Sequence, residues 1–316
     1  MSQQRQSTVA IAYPSDFAVQ AGFLTALAQA NIDARFPLSD QAPKLDLITD
    51  KERILNCSGQ TLATKLLISR YIRLTFSIKA SPAVLFGLLG WGFGVVAGDE
   101  VTLLPEGSYQ PPPTSLVYGH VGSGVQPFLL KSMCLNKLSI SAALTGYTIN
   151  VEMRGHGEAV HTVAYAWPEC PVVDVARVKN GAFSVNSVDR LPITSGYDFT
   201  FDNRMDEKDP FTLASEDITR NERADEREHL LKWKAQDEIG DTLYTAGSTI
   251  IPTQYPWSFR VGSLTDGVTV AAPASLFEVE GGEDFEGAFR RSTLPYILEP
   301  VDVPGDSAVI VTREII

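Results

Sequence analysis

The strictest constraint on the fold is an alternation at Tyr71–Lys79. Ile72, Leu74, Phe76 and Ile78 fall on one side, and Tyr71, Arg73, Thr75, Ser77 and Lys79 fall on the other. Side chains alternate along a strand, so this segment reads as a ribbon with one buried and one wet face. Such strands belong to antiparallel sheets, because parallel sheets are usually covered on both sides. The period returns at Leu138, Ile140 and Ala142, which alternate with Ser139 and Ser141. It returns again in Gly146–Arg154, where Tyr147, Ile149, Val151 and Met153 oppose Thr148, Asn150, Glu152 and Arg154. In Gly196–Arg204, Tyr197, Phe199 and Phe201 oppose Asp198, Thr200 and Asp202.

Further strands are expected at Val172–Lys179, Ala182–Val188, Trp257–Val261, Val268–Ala271, Leu276–Glu280 and Ala308–Arg313. Asn180-Gly181, Asp266-Gly267 and Gly281-Gly282 supply turns. The 24 glycines and 19 prolines suit such a turn-rich chain. Helices are few. Ser81 and Pro82 form a helix start, predicting a short buried helix over Pro82–Leu89 that runs into a Gly-rich turn. Leu230 and Trp233 at helical spacing, with Lys232 and Lys234 solvated, predict a second helix over Ala224–Glu238. An alanine-rich stretch, Phe17–Ala30, is a third and weaker candidate.

Composition narrows the function. Among 316 residues, 26 Lys and Arg face 38 Asp and Glu, a formal net charge of −12. That balance argues against a protein that grips nucleic acid, which needs clustered cations. At 44% hydrophobic and 20% charged, the chain has apolar mass for a real core. Cys57, Cys134 and Cys170 are odd in number and form no C-x-x-C pair, so they read as buried thiols in a reducing compartment. The polar Met1–Gln6 does not read as a secretion signal. Ala80–Gly98 is uncharged, but its five glycines and the preceding strand argue against a membrane span.

No catalytic constellation emerges. Nucleophile elbows are absent. Gly90-Trp91-Gly92-Phe93-Gly94 lacks the lysine and spacing of a phosphate loop and reads as a turn or close-packing site. His156 and His161 are five apart, about 500° around a helix, so they share no face. The remaining histidines, His120 and His229, join no cluster. No enzyme activity, metal or cofactor is therefore expected.

Two features concern organisation. Tyr71–Lys79 leads into Pro82–Leu89, and Glu216–Arg223 leads into Ala224–Glu238, roughly 145 residues later, an ordinary domain size. This suggests two β modules in tandem, residues 1–160 with an N-terminal arm and residues 161–316, with the boundary near Gly155–Pro171. Pro105–Thr114, stiffened by Pro111-Pro112-Pro113, and Asp206–Ser215 read as exposed arms or plain surface connections.

On several passages the chain resembles the tail tube proteins of long-tailed bacteriophages. One is Tyr71–Ile78 followed by Pro82–Leu89, a strand leading into a short apolar helix. A second is Met133-Cys134-Leu135-Asn136-Lys137-Leu138-Ser139-Ile140, then Tyr147–Gly155. In the second half, Val185-Asn186-Ser187-Val188 and Phe199-Thr200-Phe201-Asp202-Asn203 are similar to the family's strand ending in Asn. The likeness is a loose pattern over residues 50–290; the charged Ile218–Arg227 and Pro111–Pro113 depart from it.

The resemblance implies a mainly β fold of sandwich-like tail-tube modules, each with antiparallel sheets and one short helix. It implies a structural virion protein whose inner sheets join around a ring, and rings that stack into a tube conducting DNA at ejection. Its partners would be further copies of itself, a hexamer of single modules or a trimer of double ones, and the tape measure, terminator and distal tail proteins. DNA would be a partner only in transit, and membranes none. The place of action would be the virion tail, assembled in the host cytoplasm. Lumen-facing candidates are the polar faces: Arg73, Thr75 and Ser77; Asn150 and Glu152; Asp198, Thr200 and Asp202. An acidic lumen would repel phosphate. Two other readings stay open: a distal tail, terminator or decoration protein that forms one ring, and a soluble β-rich ligand-binding domain.

Overall fold

Period-two patterning yields strands at each of the principal sites where it occurs. A computed structural model of the chain describes residues 8–19, 26–39, 41–55, 61–103, 112–122, 124–143, 146–155, 158–160, 165–171, 178, 181–205, 228–238, 253–263, 265–279, 291–301 and 308–315. In chain order the strands are β1 Thr8–Tyr13, β2 Ala34–Arg35, β3 Lys44–Leu55, β4 Thr61–Ile78, β5 Gly94–Ala97, β6 Glu100–Leu103 and β7 Thr114–Val121. They continue as β8 Phe128–Ala143, β9 Gly146–Gly155, β10 Glu158–Val160, β11 Phe183–Val185, β12 Val188–Asp189, β13 Thr194–Asp202 and β14 Glu228–Glu238. The last are β15 Thr253–Gln254, β16 Trp257–Gly262, β17 Asp266–Ala272, β18 Ser275–Val279, β19 Arg291–Pro300 and β20 Ile310–Ile315. One α-helix, α1 Pro82–Phe93, lies between β4 and β5. The fold is mainly β, two antiparallel sheets packed on a common core.

The larger sheet has thirteen strands. Its main row runs β3-β4-β9-β8-β13-β14-β19-β18, antiparallel throughout, with β15 beside β18 over two residues. Within this row one order occurs twice. The hairpin β3–β4 is followed by β9 and then β8; β13–β14 is followed by β19 and then β18. The two sets of four meet where β8 pairs with β13, Lys137–Ala142 against Tyr197–Asp202. The earlier part of β8 pairs with β7 instead, at Phe128–Met133, and β1 and β2 lie beyond β7. Ser132, at φ +52°, and a bulge between Leu135 and Lys137 turn the strand between these pairings. Beyond Ile72, the stretch of β4 from Thr61 to Tyr71 has β3 as its one partner among the described residues.

The smaller sheet runs β12-β11-β16-β17-β20-β6-β5. Residues on both sides of position 160 therefore share both sheets. Leu74, Phe76, Ile149, Val151, Ile140, Phe199 and Trp233 face inward from the larger sheet, and Phe183, Trp257, Phe259 and Val270 from the smaller. Phe183 stacks on Tyr197 at 4.8 Å, and Phe199 meets Trp257 at 5.0 Å. Tyr147 donates its hydroxyl to the Arg260 carbonyl at 2.8 Å, and Tyr197 donates to the Tyr147 oxygen at 3.3 Å. Burial, then the neighbouring Tyr147, holds the Tyr197 phenol well above its ordinary pKa, so it stays a donor.

The helix α1 continues through the expected Gly-rich turn as far as Phe93. Its glycines permit contact. A Cβ on Gly92 would overlap the Leu135 side chain, and one on Gly90 would overlap Val96. One asparagine then ties α1 to the sheet, and a second braces the chain beside it. Buried Asn203 donates Nδ2 to the Gly92 carbonyl at 3.0 Å and to the Leu135 carbonyl at 2.8 Å. Its backbone N–H donates to the Asn136 carbonyl at 2.8 Å, and Asn136 Oδ1 accepts the Met205 N–H at 3.0 Å.

Two expected helices are not found among the described residues. Glu228–Glu238 is strand β14, between β13 and β19; residues 224–227 lie outside the described set. Leu231, Trp233 and Ala235 are buried while Lys232 and Lys234 are exposed, a period of two that the Leu230–Trp233 spacing concealed. The one helix per module expected from the resemblance is thus found in the first half only, among the described residues. In Phe17–Ala30, residues 17–19 and 26–30 hold no α-helix. Their backbone is bound by β7 side chains instead: Thr114 Oγ1 donates to the Ala18 carbonyl at 2.7 Å, and Ser115 Oγ accepts the Leu27 N–H at 2.9 Å. Phe17, at φ +52°, packs its ring against Trp91.

Of the other expectations, the segment Ala182–Val188 is split by a turn at Asn186 and Ser187, both at positive φ, into β11 and β12. Most of Val172–Lys179, residues 104–111 of the first arm, Asp206–Ser215, Glu216–Arg223, Cys57, His156 and His161 lie outside the described residues. Cys134 is buried and Cys170 exposed.

The strand assignment of β14 has a mutational signature. Trp233→Ala is expected to cost about 3–5 kcal/mol, and Lys234→Ala under about 0.5 kcal/mol, by urea unfolding. Equal losses at both positions would contradict the alternation.

Candidate functional site

The face of the larger sheet turned away from the core is built from the polar members of each alternation. The eight residues expected there share it, because β4, β9, β8 and β13 are neighbours in register. One cross-strand row is Ser77, Asn150, Ser139 and Thr200. The next is Thr75, Glu152, Lys137 and Asp202. Asp198 lies between Ser141 and Lys232 in a third. Arg73 lies opposite Asp46 of β3.

Local bonds fix the rows. Buried Ser77 donates its hydroxyl to Asn150 Oδ1 at 2.6 Å. Asn136 Nδ2 donates to Glu152 Oε1 at 2.8 Å. Lys137 Nζ donates to Asp202 Oδ2 at 3.1 Å, with their side chains 45% and 18% exposed. Arg73 Nη2 donates to the Tyr71 hydroxyl at 3.2 Å. Lys44 pairs with Asp46 at 2.7 Å. A groove of about 300 Å³ lies over the middle strands, bordered by Gln41, Thr75, Ser77, Lys137, Asn150 and Glu152.

Sequence reasoning missed part of this face. Ser139 and Ser141 stood in a recognised alternation, and their place beside β9 and β13 makes them members of the same wall. Lys137 continues the alternation of Ser139 and Ser141 by one step, and the bulge just before it, at Asn136, returns Leu135 to the core side. Lys232 and Lys234 were hidden by the helical reading of β14. These lysines make the face mixed in sign: Lys44, Arg73, Lys137, Lys232 and Lys234 stand among Asp46, Glu152, Asp198, Asp202, Glu278 and Glu299. Cationic side chains therefore stand among the carboxylates of this face, a placement that net charge alone does not reveal.

The row ends in edges. β3 has β4 as its one described partner, and Leu47, on the core side of β3, is 47% exposed. At the other end, among the described residues, β15 covers β18 at Leu276 and Phe277. Among the described residues no group of His, Cys, Asp and Glu could hold a metal, and no helix is long and apolar enough to cross a membrane. Comparison with models of known protein families gives no match, and comparison with curated proteins gives none.

The Lys137–Asp202 pair is half in water, so its strength should be small. A double-mutant cycle with Lys137→Met and Asp202→Asn is expected to give a coupling below about 1 kcal/mol. A coupling several times larger would mean that the pair is a structural lock.

Proposed function

We propose that this chain is a structural tube subunit of the phage-tail type, assembling through its larger sheet into rings that stack around a DNA conduit. The observation that carries this reading is the repeated strand order. Within one chain the last strand of the first set, β8, joins the first strand of the second, β13, antiparallel. The free ends of the row, β3 and β18, run in opposite directions, as β13 and β8 do. A second copy can therefore offer β3 to β18 in the manner of the internal joint, and rotation about an axis keeps every strand direction. Edges that invite pairing vanish when such a ring closes.

Two tandem modules per chain make three copies the equivalent of six, with twenty-four strands in the wall. The polar face then lines the interior, and the smaller sheet lies outside. β15 covers the start of β18 as β7 covers the start of β8, leaving the later part of each strand for the next set. The projecting β3–β4 ribbon favours stacking over a single ring, since a two-stranded ribbon is marginal alone and gains by lying on a neighbour. Tape measure, terminator and distal tail proteins would then meet the ends of the tube in a virion tail.

Purified protein is expected to show rings or tubes of uniform diameter by negative-stain microscopy. Leu47→Lys, at an exposed edge position, should leave the circular dichroism unchanged and abolish rings. Monomers alone from the native chain at high concentration, or rings that persist in the variant, would count against this assembly.

A further inference from the structure

The polar face carries lysines, which a surface that lets DNA pass must keep from holding phosphate. A free lysine meeting a phosphate releases counterions and holds on. The lysines here are not free of counter-charge. Lys137 stands between two carboxylates, Glu152 on β9 and Asp202 on β13, with Asp202 at 3.1 Å. Lys232 stands opposite Asp198, and Lys234 is one diagonal step away, opposite Gly196. Diagonal neighbours are about 7–8 Å apart, inside the Debye length of about 8–10 Å. Strand β13 thus sets two aspartates between the lysine of β8 and the lysines of β14. Glu152, Asp198 and Asp202 thus lie beside or one diagonal step from Lys137, Lys232 and Lys234, with Ser139, Asn150 and Thr200 as neutral spacers.

Stability does not explain the arrangement, because exposed ion pairs contribute about 0–1 kcal/mol. We infer that Asp198, Asp202 and Glu152 are charge partners that keep Lys137, Lys232 and Lys234 from capturing duplex DNA, so that the wall stays hydrated and ionic without gripping phosphate. This rests on reading the face as a DNA conduit. A phosphate approaching any of these lysines also meets a carboxylate at similar range, and the attraction is largely cancelled.

The test uses the full chain and a short duplex DNA oligonucleotide of arbitrary sequence, followed by fluorescence anisotropy over a salt series. The native protein is expected to show no binding even at low salt. Asp198→Asn with Asp202→Asn should bind at least tenfold more tightly, with a log–log salt slope of about −2 to −3, as two or three lysines are released. Adding Lys137→Gln, Lys232→Gln and Lys234→Gln should remove the gain. Either single Asn variant should give a smaller gain, which keeps the test available if the double variant fails to fold. Variants as inert as the native chain, or a native chain that binds equally well, would overturn the inference. Micrographs of the same preparations separate the two claims. Tubes without any gain in DNA binding sink the charge balance alone; a gain without rings or tubes sinks the assembly reading.

Discussion

Everything in this molecule depends on burying one side of the larger sheet against the smaller one. The inward side chains of β4, β9, β8, β13 and β14 are aliphatic and aromatic, and Phe183, Trp257 and Phe259 meet them from the opposite sheet. Removing that much apolar surface from water is the dominant favourable term in folding. Because the side-chain period is two, satisfying the core also decides the outer face. A one-residue slip would turn Asp198, Thr200 and Asp202 inward, so core packing fixes register, and register fixes which polar groups stand together.

The helix and the paired asparagines serve the same constraint. Asn203 occupies the end of β13, where the chain leaves the sheet, and satisfies carbonyls of both α1 and β8. Asn136 sits in the bulge of β8 and holds Glu152, the cross-strand neighbour of Lys137, through its side-chain amide. Interior polar bonds of this kind make one arrangement better than its near neighbours, since each broken partner leaves a buried group unsatisfied. The outer face is thus tied to the rim of the core at Glu152.

Much of the fold was legible in the sequence because the alternations at Tyr71–Lys79, Gly146–Arg154 and Gly196–Arg204 are long and clean. The polar residues on them were legible for the same reason. Strand β14 was not, because its lysines and glutamates favour helices locally and its buried residues are few. Pairing on both sides, with β13 and β19, overrides that preference. In the described parts of Phe17–Ala30, residues 17–19 and 26–30, alanine content again suggested a helix, but side chains of β7 claim backbone groups there. Neither effect can be read locally, since each depends on a strand distant in the chain. The recurring strand order was out of reach for the same reason; only pairings reveal it.

The central claim is that the larger sheet continues from one copy to the next with its polar face inward. A three-dimensional reconstruction of the assembled particle tests it most directly. The account predicts β3 of one copy hydrogen-bonded antiparallel to β18 of its neighbour, with Asn150, Thr200 and Lys137 lining the central channel. A particle in which those residues face outward, or in which neighbouring copies meet through the smaller sheet with β3 left open, would contradict it.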